Sequence, residues 1–490
     1  MSAKTLQENH KNFTGQLSKA QETMLIVTVM LGCFISVLNI TNINIVLPNL
    51  MTHFHTDMAS VQWIVVSYML ASGLIMPACG YFMDKFSCKN LFIVGVVLLA
   101  GASVLCAMAP TIELMIAARV LQGLAGGILM PVPGTLVYQF IPRERQLTTM
   151  SWVSMMTSFG VAIGPSLAGV MVEYLGWKAI FWANVPFLLL DLLLILKFVP
   201  FRAYAGDQAL DYVGLFAASG ATVALLFGFN QGGSLGWTSP ITLVLLGGGA
   251  LLLAYFVVHA THMEKPLLNF NVFRYKGFTY SFILNNVQSI ATCLGPMFMA
   301  LYLQNCMGLD ALHAGLAMFA PSMLMAFMAP LSAKGVKRFG YRAVILASML
   351  LLCVVTWQMS LFGIATTMLG FTFWFSLRYV ALGLLTPPIN NFAMMSVPVR
   401  ITSHASSMVA WARQFISTVS TSMFSLLYAS HIVKYLNEGV AADQSAVVQM
   451  RIIEGMAISD VNMGCTLILV MSVPLVFLLK DKLIETGKEE

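Results

Sequence analysis

Apolar residues occur along this chain in long runs, and short polar segments separate them. Each run is about 20 residues or longer, enough for a helix to cross the hydrocarbon core of a bilayer. Spans are predicted near residues 24–47, 61–82, 91–109, 112–138, 149–172 and 179–199, then 212–230 and 240–260. Six more follow near 278–304, 312–331, 343–362, 366–392, 404–430 and 461–480. The pattern predicts an all-α polytopic membrane protein with 14 transmembrane helices. The connecting loops are mostly short, which leaves no room for a sizeable soluble domain.

Composition agrees with the pattern. The chain has 490 residues, of which 58% are hydrophobic and 9% charged, against about 25% charged in a soluble domain. The distribution of charge adds an orientation. Of the 26 Lys and Arg, Arg119, Arg378 and Arg413 fall within spans. Lys178, Lys434 and Arg451 fall in loops on one side, and the remaining twenty fall on the other. By the positive-inside rule, the basic side is cytoplasmic, and so are both termini. The net charge of +6 therefore reads as membrane orientation rather than nucleic-acid binding. The N-terminus shows no cleavable signal peptide, so the first span is expected to direct insertion. The eight cysteines show no metal-type spacing and predict neither disulfides nor a metal site. No Walker phosphate loop is present, so any driving energy comes from an ion gradient, a partner or the substrate itself.

An approximate internal repeat organises the spans. The loop Gly80-Tyr-Phe-Met-Asp84-Lys85-Phe-Ser87-Cys88-Lys89 follows span 2, and the basic turn Lys334-Gly-Val-Lys337-Arg338 follows span 10. Arg119 in span 4 has a counterpart in Arg378 of span 12. The predicted organisation is a cytoplasmic N-terminus (1–23), a six-helix bundle (24–200) and a linker with two extra helices (201–277). A second six-helix bundle (278–480) and a cytoplasmic tail (481–490) complete it. Internal repeats around a central site are the usual build of secondary transporters.

The fragments in their order resemble the fourteen-helix drug:proton antiporter branch (EmrB/QacA type) of the major facilitator superfamily. They are Leu47-Pro48, Gln62-Trp63, Ser67-Tyr68-Met69-Leu70-Ala71, Gly80…Asp84-Lys85…Lys89, Arg119…Gln122-Gly123, Gly160…Gly164-Pro165…Gly169, Trp177-Lys178 and Arg413-Gln414. The resemblance spans almost the whole chain. It implies the major facilitator fold of two six-helix bundles plus two inserted helices, with alternating access and proton antiport. It further implies a coupling and gating set of Arg119, Asp84, Lys85, Gly80, Gly160, Gly164 and Pro165. In that family Asp84 belongs to a clamp that holds the outward-open state, and Gly160, Gly164 and Pro165 belong to the antiporter motif. Each also has a plain structural reading, as an orienting turn or as close packing of small residues.

Three departures alter that expectation. Ser87 and Cys88 replace a glycine and an arginine of the loop motif. The aspartate usual in span 1 is Asn39 here, and an amide does not titrate, so Arg119 lacks its acidic counterpart. Asp191, in Phe187-Leu-Leu-Leu-Asp191-Leu-Leu-Leu, is the one carboxylate placed well inside a span. It is a coupling candidate, or an acid that snorkels or pairs locally on a lipid-facing helix.

Asn39 and Asn42 share a helical face and read as cavity lining. Trp63, Tyr68, Gln122, Asn285, Asn286, Gln288, Arg378, Asn390, Arg413 and Gln414 complete the expected substrate cavity. The leading reading is efflux of drugs or amphiphiles across the inner membrane by a monomer, with no cofactor beyond a proton gradient. A periplasmic adaptor is expected if the cell is Gram-negative. A proton-independent transporter, or one preferring anionic or lipid-like amphiphiles, is the alternative suggested by Asn39 and the intramembrane arginines. A non-transporting sensor or assembly subunit is the reading from another class, and nothing in the sequence points to an enzyme.

Overall fold

The computed structural model describes residues 18–201, 210–263, 266–309, 311–363, 366–441 and 444–480. The terminal segments 1–17 and 481–490 lie outside the described residues, as do Arg202 and Lys265 of the linker.

Local chemistry fixes where the helices begin and break. Helix α1 (Lys19–Thr41) opens with a capping box: Ser18 Oγ accepts the Gln21 N–H at 3.2 Å, and Gln21 Oε1 accepts the Ser18 N–H at 3.0 Å. These bonds satisfy two of the N–H groups that a helix start leaves unpaired. At Asn42 the first span breaks, and α2 (Ile43–Phe54) continues it. Asp57 caps α3 (Met58–Phe86) by accepting the Ser60 N–H, and its bonds with Ser60 hold its carboxyl below the usual range. Helix α4 (Cys88–Met108) follows through Ser87, whose φ of 79° is a conformation that favours glycine.

The fourth span is also broken. It comprises α5 (Ile112–Leu129) and α6 (Val132–Phe140), parted at Met130–Pro131. Then come α7 (Arg143–Leu175), α8 (Ala179–Phe198), α9 (Tyr212–Leu235), α10 (Pro240–His262) and α11 (Lys276–Leu301). Helix α12 (Ala311–Met359) is two arms joined at Gly340, which adopts φ 82°. Helices α13 (Met368–Met395), α14 (Thr402–Asn437) and α15 (Ala446–Leu478) complete the chain.

Among the described residues, 12 helices are long and apolar enough to cross a membrane. One of these is α12, whose two arms supply spans 10 and 11. Helix α11 is excluded by its polar residues, Asn285, Asn286 and Gln288 among them, yet at 26 residues it is long enough to cross. These complete the fourteen predicted spans. Large apolar side chains such as Val170, Leu193 and Leu251 project outward, as lipid-facing positions require.

Buried side chains collect in separate cores. Two draw only on residues 25–199, and the largest draws only on 284–479. The two groups of helices meet along two seams, α3 against α14 and α7 against α12. Helix α9 covers the first seam. Ser219 donates to the Leu74 carbonyl of α3 at 3.1 Å, and Trp411 of α14 donates to Thr222 at 3.0 Å.

Candidate functional site

A cavity of about 420 Å³ lies between the two groups of helices. One wall carries Ser36 of α1, Tyr138 of α6 and Thr157 and Ser158 of α7. The other carries Asn285, Gln288, Asn390, Tyr379 and Arg413, from α11, α13 and α14. Two side-chain hydrogen bonds fix the second wall: Asn285 donates to Asn390 Oδ1, and Gln288 donates to Thr386 Oγ1. Arg413 shares the cavity-facing side of α14 with Ser406, Val409, Ala410 and Ser417. Among the described residues it forms no hydrogen bond or ion pair.

The cavity is shut at the end of the molecule that carries the basic loops. Asp84, at the end of α3, accepts from Ser403 Oγ and lies 3.1 Å from His404 Nε2 on α14. Gly80 makes this approach possible, because a Cβ there would stand 2.9 Å from His404 Nδ1 and 3.1 Å from its Cα. Nearby, Ser406 Oγ donates at 2.8 Å to the Pro131 carbonyl, which also accepts the Thr135 N–H at the start of α6 at 3.2 Å. Leu147 of α7 packs on Ala333 and Val336 of α12 to close the other seam. Lys85 turns aside and donates to Tyr81 at 3.0 Å.

Behind the cavity wall stands Arg119, 1% exposed. Its Nε donates to the Ile64 carbonyl at 3.1 Å. Its Nη1 donates to Asn39 Oδ1 at 2.9 Å and to Gln122 Oε1 at 2.7 Å. Gln122 in turn donates to Ser103 at 2.9 Å, and the guanidinium lies 4.6 Å from the Tyr68 ring centre. Every hydrogen-bond acceptor is neutral, so among the described residues this cation is hydrogen-bonded without a counter-charge. Glycines bring the surrounding helices close enough: a Cβ on Gly123 would stand 2.4 Å from the Tyr68 carbonyl.

Arg378 occupies a similar position in the second group of helices. It is fully buried, donating to the Ala291 carbonyl at 2.9 Å and to Asn462 Oδ1 at 3.3 Å. Among the described residues, its Nε has no acceptor.

Asp191 does not face lipid. It is 0% exposed, and Oδ2 sits 3.0 Å from the place a Cβ would take on Gly32 of α1, beside Phe92 of α4. Among the described residues, neither carboxylate oxygen has a hydrogen-bond partner. The snorkelling reading therefore fails, because α8 turns this position toward α1 and α4. The neighbour of Gly32, Cys33, lines the cavity.

The antiporter-type motif packs α7 on α1. Gly160 abuts Val37, and Gly164 abuts Thr41 and Asn42. With its amide turned to donate, Asn42 reaches the Leu38 carbonyl at 3.2 Å and the Gly164 carbonyl at 2.8 Å. Pro165 faces outward.

Of the predicted cavity residues, the structure places Asn285, Gln288, Asn390 and Arg413 on the lining. The other eight stand elsewhere. Asn39, Gln122 and Tyr68 surround Arg119 inside the first group of helices, and Asn42 is spent at the break between α1 and α2. Trp63 is 38% exposed on the outer side and packs, tilted, against Phe227 of α9 with ring centres 5.6 Å apart. Asn286 turns back to the Phe282 carbonyl at 2.8 Å. Gln414 sits one helical step, about 100°, away from the lining position 413, and Arg378 is buried behind the wall. Sequence reasoning missed Tyr138, Tyr379, Ser403 and His404. A loop motif with an acid and a close-approach glycine did call for a partner on another helix, but not for a particular one.

The family model described as Major Facilitator Superfamily matches residues 29–421. The MFS-type transporter YhcA of Bacillus subtilis is 30% identical over 420 residues, 85% of this chain and 79% of the relative. The lincomycin resistance protein LmrB of Listeria monocytogenes is 24% identical over 92% of this chain and 97% of its own length. The putative multidrug resistance protein MdtD of Salmonella heidelberg is 27% identical over 81% and 85%. Among solved structures, the human organic anion transporter MFSD10 matches with a TM-score of 0.59 at 15% identity, covering 91% of this chain and 99% of that one. That likeness bears on the fold alone.

Proposed function

The chain belongs to the Major Facilitator Superfamily and is an integral-membrane secondary transporter; from that premise we propose that it exports amphiphilic small molecules by alternating access. One observation carries the reading: the central cavity is closed at the basic end by contacts that cross between the two groups of helices. With the basic loops in the cytoplasm, this is an outward-open state. Breaking the Asp84–His404 and Ser406–Pro131 contacts, and closing the opposite end, presents the same cavity to the cytoplasm. The cavity is built within one chain, which suits a monomer in the plasma membrane. Relatives with resistance in their names support amphiphilic drugs as cargo.

Proton antiport is proposed with Asp191 as the proton carrier. Asn39 leaves the usual position without an acid, and Asp191 is the carboxylate set one residue layer behind the cavity wall, at Gly32 and Cys33. Burying a charged carboxylate with no partner is costly, and taking up a proton removes that cost. Movement of α1 against α8 then admits water and releases the proton. A second reading, proton-independent transport, is favoured by the neutral shell of Arg119. The test is transport in proteoliposomes under an imposed pH gradient. Under antiport, the native chain concentrates an amphiphile against its gradient, and Asp191→Asn still exchanges it but no longer concentrates it. Concentration that survives in Asp191→Asn rejects Asp191 as the carrier.

A further inference from the structure

Three arginines lie in the spans, and the structure gives them different surroundings. Arg119 and Arg378 are buried and engaged, and neither reaches the cavity. Arg413 is the one charged residue on the cavity wall among the described residues, and it is unpartnered there. Among the described residues, no Asp or Glu lines the cavity, and no lining amide bonds to Arg413: Asn285 donates to Asn390 Oδ1 and Gln288 donates to Thr386 Oγ1. A guanidinium stays protonated and presents a fork of donors suited to carboxylate, sulfonate or phosphate. Around it the lining is mainly apolar, including Val153, Val161, Met325, Leu382 and Met394. The volume of about 420 Å³ falls in the usual range for a drug-sized ligand.

Resting on the transporter reading above, we infer that Arg413 anchors the head group of an anionic amphiphile whose apolar body fills the rest of the cavity. A lipophilic cation would find no counter-charge there and one like charge. The cavity thus selects by sign, with Arg413 as the specificity determinant.

The test uses the full-length protein and three probes sharing one aromatic body: an aryl sulfonate, an uncharged analogue and an aryl trimethylammonium. Binding is read by fluorescence polarisation in detergent, and flux in proteoliposomes. The native protein is expected to bind the sulfonate at least about tenfold more tightly than the trimethylammonium probe, the difference one charge-assisted contact can supply. Arg413→Gln loses about tenfold for the sulfonate and keeps the uncharged probe within roughly threefold, which also reports a folded cavity. Arg413→Lys retains part of the preference, and Arg413→Glu reverses it. Equal binding of the two charged probes by the native protein overturns the proposal, as does unchanged sulfonate affinity in a folded Arg413→Gln. If Arg413→Gln does not fold, the comparison of probes on the native protein still decides. Failure of the transporter reading looks different: sign-selective binding with no flux of any probe above protein-free liposomes.

Discussion

Replacing Asp84 with alanine removes the acceptor that ties α3 to α14 at the basic end. Asp84 accepts from Ser403 and faces His404 Nε2 at 3.1 Å, with the Asp84 and His404 side chains only 14% and 11% exposed. Hydrogen bonds to a charged group contribute about 1.5–3 kcal/mol each. Taking the low end for both contacts, because the site is partly open to solvent, gives about 3 kcal/mol. At 1.4 kcal/mol per factor of ten, that is roughly a hundredfold shift between the two ends of alternating access. A population held near 99:1 moves to about even. Native cysteines supply the readout: Cys33 and Cys293 line the cavity, and the other six are buried. A membrane-impermeant maleimide is applied to one side at a time, and labelling is followed by mass spectrometry. Labelling of Cys33 and Cys293 from the basic side should rise by tens of fold in Asp84→Ala, and labelling from the opposite side should fall by about half. Native labelling rates on both sides would refute the assignment of this contact as the clamp.

Other outcomes follow from the same geometry. Arg119→Ala leaves Asn39, Gln122 and the Ile64 carbonyl without their donor; at about 1–3 kcal/mol for each buried acceptor left unsatisfied, it should cost about 3 kcal/mol or more in stability, read by a thermal shift. Arg119→Lys should recover little, because an ammonium cannot serve three spread acceptors and stack on Tyr68. Asn39→Asp places a carboxylate 2.9 Å from the guanidinium and should raise the melting temperature; a fall would show that the neutral shell is the better solvent for this cation. Gly123→Ala forces a methyl to 2.4 Å from the Tyr68 backbone oxygen, whereas Gly169→Ala meets nothing within 4 Å. The first should cost about 1–3 kcal/mol of overpacking and the second almost nothing, by the same thermal measurement.

The fourteen spans and their order were legible because bilayer thickness imposes one length on every crossing. The breaks were less so. Asn39 and Asn42 read as one polar stripe in an unbroken helix, but Asn42 ends α1, and the two amides part toward Arg119 and Gly164. The three intramembrane arginines look alike in sequence, since each is an isolated cation among apolar neighbours. What separates Arg413 from Arg119 and Arg378 is which helix face meets the cavity, and that depends on packing between elements far apart in the chain. The Asp84–His404 contact is of the same kind, joining residues of the first and second helix groups. The leucine-rich surroundings of Asp191 suggested a lipid face, yet α8 packs that side against α1 and α4. Composition along one helix does not say which leucines meet lipid and which meet a neighbour.

The proposed export runs through a cavity that opens to each side in turn. Its most direct measurement is flux of a fluorescent amphiphile in proteoliposomes of the purified protein, with the pH gradient imposed and then collapsed by an ionophore. Protein-dependent accumulation against the amphiphile's own gradient is expected, lost when the pH gradient is collapsed and lost in Asp191→Asn. Flux no greater than in protein-free liposomes would contradict it.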